Sequence, residues 1–167
     1  MSGVTDMDDG IVYRAAALED CYEVAVLKGL VWNTTYKGIY SDAALTNYDV
    51  DKNRKIFESI VQNPDIELYI AQDGNRIVGL MTCGKPFRPF GDYQQEIGLL
   101  YILASHQRRG IGRNFLDMAR KHAAVAHCNE LMVSVNRQNA NAIRFYLAMG
   151  GRIIFTDDKQ MKLAYSI

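Results

Sequence analysis

The sequence predicts an α/β fold, a mixed β-sheet with helices on both faces. Three observations carry that prediction. Short apolar or alternating stretches of strand length occur at 11–15, 66–71, 76–82, 95–103, 130–135, 153–155 and 160–165. Longer stretches near 18–31, 51–62, 110–126 and 139–149 repeat apolar residues at helical spacing. Their order runs strand, helices, strands, helix, strand, helix, strands, which fits a mixed sheet flanked by helices.

Each element has a local reason. Residues 1–9 are polar and acidic, unlike the basic start and apolar middle of a secretion signal, so 1–10 reads as a disordered lead and 11–167 as one domain. After the strand at 11–15, Leu18, Cys21, Tyr22, Ala25, Leu27 and Val31 recur near helical spacing. Glu19 and Asp20 sit in the first turn, where the helix dipole favours negative charge. Residues 32–40 are aromatic and read as irregular, with Gly38 as a break. Ser41-Asp42 opens a second helical stretch, and a third, 51–62, stops before Asn63-Pro64. The strands at 66–71 and 76–82 flank Asp73-Gly74-Asn75, a hairpin signal. Two prolines, two glycines and two phenylalanines make 84–93 a loop. The strand at 95–103 leads through a polar turn to a helix with Phe115, Leu116, Ala119 and Ala123 on one face. A strand at 130–135 and a helix at 139–149 follow, the helix stopped by Gly150-Gly151. The last two strands form a hairpin around Asp157-Asp158.

Composition narrows the function. With 167 residues the chain suits one domain of ordinary size, and 49% apolar with 23% charged residues is a globular profile. Lysine plus arginine equals aspartate plus glutamate at 19 each, which argues against a surface built for nucleic acid or anionic membrane. Cys21, Cys83 and Cys128 are scattered and odd in number, and the three histidines form no zinc pattern. Neither a disulfide framework nor a metal is expected. No apolar run approaches the ~20 residues that cross a bilayer. A cytoplasmic protein with no metal, membrane or nucleic-acid partner is the expectation.

The segment Gln107-Arg108-Arg109-Gly110-Ile111-Gly112-Arg113 joins a strand to a helix. Two glycines allow a sharp turn and close approach to a ligand. The helix start offers unpaired N–H groups, and three arginines add charge, which together suit a pyrophosphate. A P-loop would need Gly-Lys-Ser/Thr, and a dinucleotide fingerprint would need glycine where Phe115 stands. An ordinary surface turn with arginines nearby is the competing reading.

That turn, after Leu99-Leu100-Tyr101-Ile102-Leu103, resembles motif A of the GCN5-related N-acetyltransferases (GNAT), Gln/Arg-x-x-Gly-x-Gly/Ala. Some thirty residues on, Asn139-Ala140-Asn141-Ala142-Ile143-Arg144-Phe145-Tyr146 is similar to that family's motif B, Asn-x-x-Ala-x-x-Phe-Tyr. The likeness is specific over 96–155 and looser over 11–84. Gly151 departs from the family's usual phenylalanine, and Ala104 from its common proline. The resemblance implies a GNAT fold, a central mixed sheet whose fourth and fifth strands, here 96–103 and 130–135, run parallel and splay apart. It also implies an acetyl-CoA-dependent N-acetyltransferase acting on a primary amine of a small molecule or peptide, by direct attack in a ternary complex. A non-catalytic acyl-CoA-binding sensor or scaffold on the same fold is the alternative. Dimers are common in such families, so a homodimer is compatible with it.

By the same resemblance, the Ile102 backbone pairs with pantetheine and the Leu100 N–H faces the thioester carbonyl. Gln107, Arg108, Arg109, Gly110, Ile111, Gly112 and Arg113 hold the pyrophosphate. Tyr146 occupies the family's usual general-acid position; a phenol with a pKa near ~10 keeps its proton at neutral pH. Asn139 either caps its helix or hydrogen-bonds pantetheine. Glu96, fourteen residues before Gly110, has the spacing of the general base in the histone-acetylating branch; the alternative is a solvated carboxylate at a strand end. Alternation puts residues 96, 98, 100 and 102 on one face. Trp32, Tyr36, Tyr40, Phe87, Phe90 and Tyr93 fall in segments that this fold uses to shape the acceptor side. Asp42, Asp49, Asp51, Asp92, Asp157 and Asp158 are available to attract a cationic amine, or are solvated surface charges.

Overall fold

The computed structural model describes residues 5–6 and 10–167. Most of the anticipated lead, residues 1–4 and 7–9, lies outside the described residues. Thr5–Asp6 within it forms a short strand, β1, antiparallel to β2 (Ile11–Ala15). The chain divides into two compact units, 1–82 with 99–112, and 83–98 with 113–167.

In the first unit the strands follow the order β1, β2, β3 (Ile66–Asp73), β4 (Arg76–Gly84) as far as Thr82, and β5 (Glu96–Ile102) from Leu99 on. β2 and β3 are antiparallel, with Ile11 opposite Asp73 and Ala15 opposite Tyr69. Gly74, at φ 58, supplies the left-handed backbone that the tight β3–β4 turn requires. β4 is buried along almost its whole length, since Val78, Leu80 and Met81 are inaccessible. A strand covered on both faces has no reason to alternate, which is why 76–82 reads as a nearly continuous apolar run.

Helix α1 (Cys21–Tyr36) begins where Arg14 grips Asp20 through two hydrogen bonds of 2.7 and 2.8 Å. The same carboxylate accepts the Ala17 N–H at 2.7 Å, satisfying an amide at the helix entrance. α1 runs on through Tyr36, so Trp32 and Tyr36 are helical and not part of an irregular segment. Aromatic residues are modest helix formers, but here tertiary packing outweighs that propensity. Ser41 caps α2 (Asp42–Thr46) and Asp49 caps α3 (Val50–Val61), each accepting an N–H three residues on. Phe57 and Ile60 of α3 are buried, and α3 packs on α1 and β3.

In the second unit the order is β5, β6 (Glu130–Asn136), β8 (Gln160–Ser166), β7 (Arg152–Thr156). β5 and β6 are parallel, with Glu96 opposite Met132 and Ile97 opposite Val133. These pairs involve only the first two residues of β5, as splayed strands require. β6 and β8 are antiparallel over their full length, from Glu130–Ser166 to Asn136–Gln160. Helix α4 (Ile111–Val125) buries Phe115, Leu116, Ala119 and Ala123, the face its spacing predicts. Helix α5 (Ala140–Ala148) ends at Gly150, φ 93. The fold is a mixed α/β sheet flanked by helices, as expected. No helix among the described residues is long and apolar enough to cross a membrane.

Candidate active site

The site begins with the second half of β5. Leu99, Leu100, Tyr101 and Ile102 are all partly exposed, although the preceding Ile97 is 1% exposed and β4 is covered. Apolar residues in mid-sheet are normally covered on both faces. Accessible alternating positions make both faces of this strand available to a ligand.

The turn that leads into α4 follows in the same unit. Leu103 donates its N–H to Val78 O at 2.9 Å, tying the end of β5 to β4. Residues Ala104–His106 form a 3-10 turn. Gln107 folds back to donate from Nε2 to Ile102 O at 3.0 Å. Arg108 takes the left-handed backbone at φ 61, and Gly110 follows at φ 88. A Cβ on Gly110 would meet no atom within 4 Å, so backbone conformation and not crowding selects glycine. Ile111 is 1% exposed and anchors the first turn of α4, leaving Arg108 and Arg109 exposed at its entrance. Gly112 and Arg113 continue the helix.

A polar network holds this turn from below. His106, 9% exposed, shares a 2.8 Å hydrogen bond through Nε2 with Asp73 Oδ2 and another of 2.8 Å through Nδ1 with Ser105 Oγ. Arg109 stands 4.0 Å from the same Asp73 carboxylate. His106, first among these neighbours, holds Asp73 below the usual carboxylate range. Asp73 belongs to the β3–β4 hairpin, where its sequence neighbours mark only a turn. The 33-residue separation hides the pairing from local sequence reasoning.

Glu96 belongs to the second unit and is 8% exposed, so it is not a solvated strand-end charge. Its Oε2 accepts the Phe87 N–H at 3.1 Å, and its Oε1 lies 3.5 Å from Ser134 Oγ. Lys162 donates from Nζ to that Ser134 hydroxyl at 2.6 Å and lies 4.8 Å from the centre of the Phe90 ring. Burial pushes the Glu96 carboxyl above its ordinary range; the Phe87 amide, Lys162 and Ser134 oppose the shift. Pairing places Met132 opposite Glu96 and Lys162 opposite Ser134, so these side chains share one sheet face. Ser134 and Lys162 are neighbours of Glu96 that sequence reasoning missed. A lysine within the apolar run Met161-Lys162-Leu163 was the available signal.

Tyr146 lies on α5 in the same unit and is 5% exposed. Its main-chain carbonyl accepts two hydrogen bonds, from Tyr165 Oη at 2.6 Å and from Gly151 N at 2.9 Å. A Cβ on Gly151 would stand 2.8 Å from that carbonyl oxygen and 3.1 Å from the Tyr165 hydroxyl. This explains glycine where phenylalanine is usual. Asn139 accepts the Ala142 N–H at 3.2 Å, so its side-chain oxygen caps α5.

Of the aspartates, Asp49 caps α3, and Asp157 holds the β7–β8 turn by accepting the Lys159 and Gln160 N–H groups at 2.8 Å each. Phe90 stacks with Tyr93 in the second unit, and Trp32, Tyr36 and Tyr40 gather in the first. Among the described residues no group of three or more His, Cys, Asp or Glu side chains could hold a metal ion.

The sequence matches the model of the acetyltransferase (GNAT) family over residues 20–150. It is 27% identical over 150 residues to the N-acetyltransferase YuaI of Bacillus subtilis, covering 89% of this chain and 84% of that protein. The fold is similar to that of the PaiA N-acetyltransferase of Thermoplasma acidophilum, solved in complex with coenzyme A. The TM-score is 0.82 and the identity 22%, over 94% of this chain and 99% of that one. YncA of Salmonella typhimurium, solved with its cofactor acetyl-CoA, is similar with a TM-score of 0.67 and 16% identity, over 94% of each chain.

Proposed function

The chain belongs to the GNAT acetyltransferase family, and from that premise we propose that it transfers the acetyl group of acetyl-CoA to a primary amine of a small molecule or peptide. The observation that carries this reading is the turn after β5, where left-handed Arg108 and Gly110 precede the start of α4 beside exposed arginines. Backbone N–H groups and positive charge at a helix start favour the pyrophosphate of the coenzyme. Partly exposed Leu100 and Ile102 suit the pantetheine arm, with the Leu100 N–H donating to the developing oxyanion. Residues 107–113 and Asn139 complete the coenzyme contacts in this proposal. Residues 11–167 act as one catalytic domain. Cys21, Cys83 and Cys128 as thiols fit work in the reducing cytoplasm.

The chemistry follows from charge accounting. The amine nitrogen forms a bond to the thioester carbonyl carbon, the carbon–sulfur bond breaks, and the amine loses a proton. Glu96, whose burial raises its affinity for protons, takes that proton directly or through water. Tyr146 supplies one to the departing thiolate. Solution tests of the coenzyme claim are direct. Acetyl-CoA should raise the melting temperature with dose, as any ligand selective for the native state does. Gly112→Val should abolish that shift by blocking backbone approach to the pyrophosphate. An unmoved wild-type transition at millimolar coenzyme would refute the reading.

A further inference from the structure

Helix α5 carries the residue proposed as general acid, yet it buries little of its own surface. Of its nine residues only Tyr146 is buried. Asn139 fixes the start of the helix by accepting the Ala142 N–H. Two nested hydrogen bonds fix its end, from Gly151 N to Tyr146 O at 2.9 Å and from Gly150 N to Leu147 O at 3.0 Å. Gly150, left-handed at φ 93, turns the chain between them. In helix endings of this type the side chain at the place of Gly151 commonly packs back on the residue at the place of Tyr146. Glycine has no side chain to do so, and that apolar latch on Tyr146 is missing.

A hydroxyl stands in its place. Tyr165 Oη donates to the same Tyr146 carbonyl at 2.6 Å, within the buried interior. Its strand, β8, is paired along both edges, to β6 and to β7, so the ring rides on a fixed platform. Burial pushes the Tyr165 phenol up to about 12, which keeps its proton available for donation through the neutral range. Arg120 completes the ending: its guanidinium lies 5.0 Å from the Tyr165 ring centre and donates to Met149 O at 3.4 Å. The missing side chain and the hydroxyl depend on each other. A Cβ at 151 would stand 3.1 Å from the Tyr165 hydroxyl and 2.8 Å from the carbonyl it serves, so the two compete for one space.

The structure assigns Tyr165 and Gly151 as positioning residues for Tyr146: through the main-chain carbonyl, the Tyr165 hydroxyl sets where α5 holds the Tyr146 phenol. A helix anchored by one buried side chain can rock about it, and a shift of about 1 Å at a reacting group is enough to slow a reaction. Tyr165 lies outside the 96–155 stretch that resembles the family most specifically, and Gly151 departs from the family's usual residue, so neither role follows from that resemblance. The assignment deepens the acetyl-transfer reading and rests on it for the role of Tyr146 as acid. The placement itself rests on the hydrogen bonds alone.

Thiol release from acetyl-CoA is measured on the full chain with a pool of butylamine, phenethylamine, 1,4-diaminobutane and a lysine peptide as acceptors. Tyr165→Phe keeps the ring and should lower kcat about tenfold, with the KM for acetyl-CoA unchanged. Gly151→Ala, which presses on the same oxygen, should act in the same direction. Placed on Tyr146→Phe, Tyr165→Phe should change kcat no further, because the group it positions is gone. Ile60→Val, a core truncation in α3, should leave kcat unchanged. With Tyr146→Phe impaired, wild-type kcat in Tyr165→Phe, an equal loss on top of Tyr146→Phe, or an equal loss in Ile60→Val would each overturn the proposal. NMR of tyrosine isotopically labelled at Cζ reads placement without turnover. Tyr146→Phe identifies the Tyr146 signal by its loss, and Tyr165→Phe should shift that signal. An unmoved signal would overturn the proposal whatever the kinetics. A shifted signal, where Tyr146→Phe keeps wild-type kcat, would leave the placement standing and remove the acid role; where no acceptor is turned over, it would remove the acetyl-transfer reading instead.

Discussion

Tyr165 donates its hydroxyl to the main-chain carbonyl of Tyr146 at 2.6 Å, and the Gly151 N–H meets the same oxygen at 2.9 Å. The residue proposed as general acid is thereby pinned through its backbone carbonyl. The guanidinium of Arg120 sits 5.0 Å from the Tyr165 ring centre and steadies the donor. Tyr165→Phe removes one buried hydrogen bond and should cost about 1 kcal/mol. Gly151→Ala should cost more, since its Cβ would press within 2.8 Å of a backbone oxygen that cannot swing away. Chemical denaturation of both variants checks the order; a Gly151→Ala protein as stable as wild type would contradict it.

Tyr146→Phe keeps the ring packing, including the edge contact with Phe145 at 5.2 Å, and removes only the hydroxyl. If Tyr146 protonates the thiolate, kcat should fall about 10²-fold with coenzyme affinity nearly unchanged. Steady-state kinetics with a separate coenzyme titration distinguish the two parameters. Wild-type kcat in this variant would assign the proton to another donor.

Glu96→Gln tests both the proposed base and the linkage of its burial to stability. Because the folded state raises the Glu96 pKa, it holds the proton more tightly than the unfolded chain, where glutamate titrates near ~4.3. That preference stabilises the fold below the unfolded pKa and is lost as pH rises through the folded one. Wild type should therefore lose stability relative to Glu96→Gln across that window, with no further loss above it. In catalysis the variant should lose the acidic limb of the pH–rate profile. Lys162→Met should move that limb to higher pH in an otherwise intact enzyme, since Lys162 favours the ionised carboxylate. A limb unaffected by either change would leave Glu96 with a structural role alone.

Asp73 separates charge from anchoring at the phosphate turn. Asp73→Asn keeps an acceptor for His106 but removes the negative charge 4.0 Å from Arg109. Coenzyme should bind about two- to threefold more tightly at low salt, and the gain should fade as salt screens it. His106→Ala removes the tie between turn and hairpin and should weaken coenzyme binding about tenfold, with kcat at saturation maintained. Calorimetric titration at two ionic strengths reads both. A salt-independent effect of Asp73→Asn would show that geometry, not charge, links Asp73 to the turn.

Order and type of element were legible in the chain because they rest on local causes. Apolar periodicity marked α4 and the face carrying Phe115, Leu116, Ala119 and Ala123. Asp73-Gly74-Asn75 marked the hairpin, and the paired glycines after Arg109 marked the turn into α4. Such signals depend on neighbours within a few residues, where sterics and hydrogen bonding are set by residue type. Trp32 and Tyr36 misled local reasoning, since aromatic residues weaken a helix signal while the packing of Trp32 on distant Tyr48 favours the helix.

Tertiary structure alone decided what each chemical group meets. Glu96 is buried beneath the Phe87 amide, Ser134 and Lys162, from segments 9, 38 and 66 residues away along the chain. His106 finds Asp73, Tyr48 finds the bare backbone of Gly29, and Gly151 makes room for the Tyr165 hydroxyl. Proton affinity depends on desolvation and on charges a few ångströms off. Those distances are properties of the folded chain, because only folding brings residues remote in sequence within reach of one another.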